Sequence, residues 1–220
     1  MEVRYLGHSA FFVRTGSGPT LLIDPFLTGN PKAAAKASDF REVDAVLVTH
    51  DHDDHLGDAF DICERTGATF VSMFEVAMQA QEKGITVEPM GVGGAITWRG
   101  LRLHMVNAQH SSGVGHPSGF VIEDGTDTAY FAGDTGLFGD MRLIGEIWKL
   151  DLAVLPVGDR FTMGPELATR AVEFLRPRHV IPCHYATFDQ LLPDARRFVQ
   201  LVGDRARVHA LAPGDTMTVD

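Results

Sequence analysis

Apolar positions recur along this chain of 220 residues in two rhythms. Short aliphatic runs, alternating or continuous, predict strands at 2–6, 10–14, 20–23, 45–49, 68–72, 101–106, 119–123, 128–132, 152–157 and 179–183. Apolar spacing of three and four, stopped by glycine, predicts helices over "DAFDICERTG" (58–67) and "MFEVAMQAQEKG" (73–84). A further helix is predicted over "GPELATRAVEFLRP" (164–177), with Pro165 in its first turn, Leu167, Ala171, Phe174 and Leu175 on one face, and Pro177 closing it. A last helix is expected over 193–202. Strands alternate with helices in some places and follow one another as hairpins in others, which predicts a mixed α+β or α/β architecture. "GVGG" (91–94) reads as a hairpin turn, because no Lys-Ser/Thr follows to make it a phosphate loop. An internal echo links "LLIDPFLTG" (21–29) and "AYFAGDTGLFG" (129–139): each is a strand ending in aspartate before a Gly/Thr loop, as two related halves would show.

Composition narrows this picture. The length suits one domain over residues 1–220, with no low-complexity segment or Pro/Ser-rich linker. No apolar run approaches the roughly 20 residues that span a bilayer, and the N-terminus lacks a basic segment followed by a long apolar one, so a cytoplasmic, membrane-free protein is expected. The net charge of −10, without a Lys/Arg cluster, argues against a nucleic-acid partner. Cys63 and Cys183 form neither a disulfide framework nor a paired-cysteine zinc motif and read as small core residues.

The chemistry concentrates in "VLVTHDHDDHLGD" (46–58). His50, His52, Asp54 and His55 follow a predicted buried strand as H-x-H-x-D-H, in a loop where neighbouring side chains converge. Imidazole and carboxylate together suit zinc, manganese or iron, and two ions would divide the set, His50 and His52 for one, Asp54 and His55 for the other. Further ligands are available at three predicted strand exits: His110 in "NAQHSSG", Asp134 in "FAGDTG" and His184 in "VIPCHY".

These segments, with "VRYLGHSAFFV", "LLIDPFLTGNP", "AGDTGLFGDMRLIGE" and "LPVGDRFTMGPE", occur in family order over nearly the whole chain. The sequence resembles the metallo-β-lactamase-fold superfamily of metal-dependent hydrolases, and within it the UPF0173 group related to the L-ascorbate-6-phosphate lactonases. The resemblance implies a four-layer αββα sandwich. It implies that His50, His52 and His110 hold a first metal, that Asp54, His55 and His184 hold a second, and that Asp134 bridges them. One departure stands out: the group reads T-H-G-H-G-D-H, and Asp51 and Asp53 replace both glycines. If either position needs a positive φ, aspartate adopts it at a cost; the added charge would also tighten cation binding or shift metal preference.

The expected function is hydrolysis of an ester-like bond, phosphodiester or lactone, in a small-molecule substrate by water shared between two divalent ions, zinc first, manganese or iron as alternatives. Asp54 is the catalytic candidate, orienting that water and accepting its proton. Asp24 is expected to hydrogen-bond a ligand histidine, or to serve as a turn residue before Pro25. His8 and Tyr185 are candidates for substrate contact, and Arg160 with the amides of the Pro165 helix for an anion cradle; turn packing, core packing and ordinary capping explain the same residues. His104, His179 and His209 read as strand packing, and His116 as a loop residue. Two alternatives compete with the hydrolase. One is single-iron oxidation of thiols or persulfides, disfavoured because its diiron relatives carry H-x-E-x-D and its dioxygenases lack the second ligand set. The other is a non-catalytic metal sensor, which predicts a closed coordination shell. Cytoplasmic members of this kind often self-associate, so the resemblance is compatible with a homo-oligomer while the sequence leaves the oligomeric state open.

Overall fold

In the computed structural model, which describes residues 1–219, the chain builds two seven-stranded sheets in succession. Sheet one takes β1 (Glu2–Gly7), β2 (Ala10–Arg14), β3 (Thr20–Ile23), β4 (Ala45–Leu47), β5 (Thr69–Met73) and β6 (Val87–Met90). Sheet two takes β7 (Ala95–Trp98), β8 (Leu101–Asn107), β9 (Ser118–Glu123), β10 (Thr128–Phe131), β11 (Leu152–Pro156), β12 (His179–Cys183) and β13 (Arg207–Val208). The last strand, β14 (Thr216–Thr218), returns to pair with β1 at the edge of sheet one.

Each sheet switches once from antiparallel to parallel. In sheet one β1, β2 and β3 are antiparallel and β3 to β6 are parallel; in sheet two β7 to β10 are antiparallel and β10 to β13 are parallel. The two strands of the internal echo, β3 and β10, occupy this switch point; Asp24 follows β3 directly, whereas Asp134 comes three residues after β10. Composition follows coverage. The central parallel strands β5, β11 and β12 are buried along their whole length, and they are the largely apolar runs "TFVSM", "LAVLP" and "HVIPC".

The helices α1 (Asp53–Leu56), α2 (Ala59–Thr66) and α3 (Phe74–Glu82) lie in the first half of the chain, α2 and α3 against sheet one. In the second half, α4 (Met141–Ile147), α5 (Pro165–Leu175) and α6 (Arg196–Val202) pack on one another over sheet two. The result is an αββα sandwich with two cores. The larger fills the space between the sheets and under α2 and α3, where Phe11 of β2 meets Phe131 of β10 edge to face at 5.7 Å; the smaller lies beneath α4 to α6, around Tyr130 and Phe198.

Three expectations are corrected. The buried stripe of α5 is Ala168, Ala171, Val172 and Leu175, while Leu167 is half exposed. Small residues let the helix approach β11, and the flanking Phe174 lies beneath the guanidiniums of Arg142 and Arg170 at 4.3 and 5.0 Å. "GVGG" is no hairpin turn: β6 and β7 belong to different sheets, so this segment is the crossover between them. Finally, Asp53 begins a helical turn, where a carboxylate complements the helix dipole. No helix among the described residues is long and apolar enough to cross a membrane.

Candidate metal centre

The cluster forms where strand exits of both sheets meet along one edge of the sandwich. β4 ends at Leu47 and delivers His50, His52, Asp54 and His55 through one loop and one helical turn. The exits of β8, β10 and β12 deliver His110, Asp134 and His184. Ligand atoms of His50, His52 and His110 lie within 4.8 Å of one another, as do those of His8, Asp54, His55 and His184, and those of His50, His55 and Asp134. Asp134 stands between the groups: Oδ2 is 2.9 Å from His184 Nε2 and 3.6 Å from His110 Nε2, and Oδ1 is 3.2 Å from His55 Nε2.

The backbone is bent to achieve this. His8, Asp24 and His184 all take positive φ, 61°, 46° and 56°, at a cost on the order of 1–3 kcal/mol each for residues with a Cβ. The His184 turn also requires Gly158, since a Cβ there would stand 1.9 Å from the His184 carbonyl oxygen. Asp51 and Asp53, by contrast, do not have positive φ, so replacing glycine strains neither. Asp51 has a distinct task. Its Oδ1 accepts hydrogen bonds at 2.7 Å from the Gly113 amide and the Ser112 hydroxyl, tethering the loop that carries His110.

Beneath the cluster, Asp24 organises two histidines. Its Oδ2 is 2.8 Å from His55 Nδ1 and accepts the Thr49 hydroxyl at 2.8 Å; its Oδ1 accepts the Thr49 amide. Because the Thr49 hydroxyl donates to Asp24, His50 Nδ1 at 3.1 Å is the donor to Thr49, which leaves the His50 Nε2 lone pair facing the cluster. His8 is fixed from the other side, with Nδ1 2.9 Å from Thr187 Oγ1 and Nε2 3.2 Å from Asp54 Oδ2.

Electrostatics follow from burial. Desolvation lowers His50 to about 2 and His8 to about 4, helped for His50 by the neighbouring His55 and opposed for His8 by the bond to Asp54. Burial also works against a charged His55, yet Asp134 and Asp24 together raise it well above 6.5. Burial would raise Asp134, but His184 and His55 hold it well below the usual carboxylate range; Asp54 is likewise lowered, against its own desolvation, by His8 and His55. His55 Nε2 and Asp134 Oδ1 are nonetheless buried without a hydrogen-bond partner. Buried polar atoms are nearly always satisfied. Unpaired imidazole and carboxylate atoms converging at this spacing are the donor set that divalent zinc, manganese or iron takes.

The other sequence candidates lie elsewhere. Arg160 is exposed and extends over Phe161, and the Asp159 carboxylate lies against Gly164 at the start of α5, where an anion would meet like charge. Tyr185 packs on the core beneath α4 to α6. His104 is bonded to Glu123, His116 to Asn107, and His179 to His209. Sequence reasoning missed Thr49, Thr187 and the Asp51 tether. Thr49 precedes the H-x-H motif directly, but nothing local marks Thr187, 179 positions from His8.

Comparison with known proteins agrees with this geometry. Residues 20–185 match the beta-lactamase superfamily domain. A UPF0173 metal-dependent hydrolase of Methanopyrus kandleri is 47% identical over 229 residues, covering 98% of this chain and 99% of that protein. One from Thermus thermophilus is 46% identical over 227 residues and covers both chains fully. A solved metallo hydrolase from the hyperthermophilic archaeon Ignicoccus hospitalis superposes with a TM-score of 0.93 at 38% identity, over 98% of this chain and 97% of that one. The chain therefore belongs to the UPF0173 metal-dependent hydrolases of the β-lactamase superfamily.

Proposed function

We propose that the protein is a binuclear hydrolase that cleaves an ester-like bond, of the phosphodiester or lactone class, in a small-molecule substrate. The observation that carries this reading is Asp134, whose two oxygens lie 3.2 Å from His55, 3.6 Å from His110 and 2.9 Å from His184 and so reach residues of both groups. His50, His52 and His110 would hold one ion, Asp54, His55 and His184 the other, and Asp134 would serve both. Two divalent ions, zinc first, manganese or iron as alternatives, would bring the pKa of a shared water toward ~7 and offset charge developing on a substrate oxygen.

The chain's own groups supply the rest. The Asp54 side chain is 29% exposed, so one edge of this carboxylate faces the open side of the centre. His8, neutral in its buried place, is held at Nδ1 by Thr187 Oγ1 at 2.9 Å and at Nε2 by Asp54 Oδ2 at 3.2 Å. That bond keeps Asp54 ionised and fixes its orientation, as a group that positions water and takes up its proton requires. No side-chain nucleophile competes: Cys183 is buried, with its thiol pushed well above 9 by burial and by Asp134, and Ser112 is bonded to Asp51.

The partial exposure of Asp54 and of His110, at 12%, favours an open catalytic site over the closed shell of a sensor. The complete second ligand group favours two ions over a single iron. The test is metal content of protein purified without added metal or chelator, coupled to hydrolysis of bis-p-nitrophenyl phosphate, p-nitrophenyl esters and simple lactones by wild type and His52→Ala. Close to two ions per chain, with turnover lost in the variant, is expected. One tightly held iron and no hydrolysis would overturn the reading.

A further inference from the structure

Two phenylalanines stand just beyond the strand exits that carry Asp24 and His184. Phe26 follows β3 and Phe188 follows β12, and both rings meet His8 edge to face, at 5.8 and 5.4 Å. Their centroids are 6.3 Å apart. His8 in turn reaches Asp54 at 3.2 Å, so an aromatic wall rises one imidazole away from the carboxylate that faces solvent.

Sealing His8 does not account for this wall. His8 is fully buried, yet Phe188 remains 37% exposed. Apolar surface left in water forgoes about 25 cal/mol per Å², and an aromatic face kept open beside convergent polar groups is how small-molecule sites are built. Past Phe188 an open groove of about 630 Å³ continues along Ala186, Leu191, Pro31 and Pro193, roomy enough for a phenyl-sized group. The groove and the metal centre share two residues: Thr187 lines the groove and bonds His8 Nδ1, and Phe188 lines the groove and packs on the same imidazole. Its charged residues, Lys32 and Asp189, are opposite in sign, so it has no net charge with which to select an ion.

We propose that Phe26, Phe188 and the groove beyond them form the subsite for an uncharged aromatic substituent of the substrate, on the Asp54 side of the centre. This rests on the hydrolase reading and adds to it a substrate class: aryl-substituted ester-like compounds in preference to small or highly hydroxylated ones.

The test separates the two. Binding of phenylphosphonate and methylphosphonate to the metal-loaded protein is measured by calorimetry for wild type, Phe188→Ala, Phe188→Leu and, as a control on a remote exposed ring, Phe161→Ala. Phenylphosphonate should bind wild type and Phe161→Ala at least about tenfold more tightly than methylphosphonate. In Phe188→Ala the preference should fall to about twofold, with metal content and methylphosphonate affinity unchanged; Phe188→Leu should fall between. Equal affinities in wild type, a preference retained in Phe188→Ala, or no binding of either phosphonate overturns the subsite. Hydrolysis of bis-p-nitrophenyl phosphate is scored separately: discrimination without turnover keeps the subsite and discards the hydrolase, and turnover without discrimination does the reverse.

Discussion

The two ligand groups are built differently. Around His55 and His184, both of them buried, the side chains are braced: Asp24 holds His55, His8 holds the partly exposed Asp54, and Thr187 holds His8. Around His52 and His110 the side chains are only partly buried, and His110 rides on a loop tied by Gln109 to Thr135 and Gly136 and by Gly113 and Ser112 to Asp51. His50 belongs to both worlds, being buried and fixed through Thr49 while its Nε2 lies 3.0 Å from His52 Nδ1. The difference teaches that one group of candidate ligands is set by buried side-chain bonds and the other by the hydrogen bonds of a surface loop.

Removing the shared element should have the largest effect. Asp134→Ala removes one of the two carboxylates that face buried His55, leaving Asp24 alone, and breaking a buried pair in this way costs up to about 3–5 kcal/mol. Ion content at both places and turnover should be lost together, and the ion-free variant should unfold at lower denaturant than ion-free wild type. An Asp134→Ala protein that keeps one full ion would show that the groups do not share this residue.

Asp24→Asn attacks the braced group from behind. Changing a residue that orients a ligand histidine typically lowers metal affinity ~10–100-fold. Chelator competition should show that loss for an ion bound at His55, and because both Asp24 oxygens accept hydrogen bonds the ion-free variant should also unfold at lower denaturant than ion-free wild type.

Acidity sharpens the contrast further. In the ion-free protein His55 carries its proton at neutral pH because Asp134 and Asp24 raise it above 6.5. An ion must expel that proton, so affinity at the braced group should rise by about tenfold per pH unit until the pH passes the raised value. Folding responds with the opposite sign. A histidine whose folded pKa is raised stabilises the ion-free protein below its unfolded value and loses that contribution as pH climbs through the folded one. Calorimetry in buffers of different ionisation heat should detect proton release near pH 7; none would place the proton elsewhere.

Asp51→Ala should weaken only the loop-borne group, by up to about tenfold, whereas Asp51→Asn keeps a carbonyl acceptor and should stay within about twofold of wild type. At the bottom of the scale, His116→Ala removes an exposed bond to Asn107 and should change stability by less than about 0.5 kcal/mol.

Much of the fold and of the cluster is legible in the sequence, for identifiable reasons. Strands buried on both faces, such as β11 with "LAVLP", announce themselves as unbroken apolar runs, and the histidines and aspartates crowded at 50–55 announce a centre. Short edge elements do not. β6 is "VEPM" and β7 is "AITW", four residues each and half exposed, too brief for a period to show. The α5 face was misread because small alanines, rather than the larger Leu167, go inward. Thr187, Phe26 and Phe188 stayed hidden because their meaning lies in what they touch across the chain.

Each ligand group draws from both sheets: His50 and His52 from the exit of β4 with His110 from that of β8, and Asp54 and His55 with His184 from that of β12. Ions held there would clamp the sandwich shut along one edge, joining in the second group segments more than a hundred residues apart. An ion at a hundred times its dissociation constant adds about 2.7 kcal/mol to the folded side. Since the sheets cannot part until the clamp opens, much of that gain should appear as slower unfolding, and a chelator would act on this protein as a loosening agent long before it acted as an inhibitor of turnover alone.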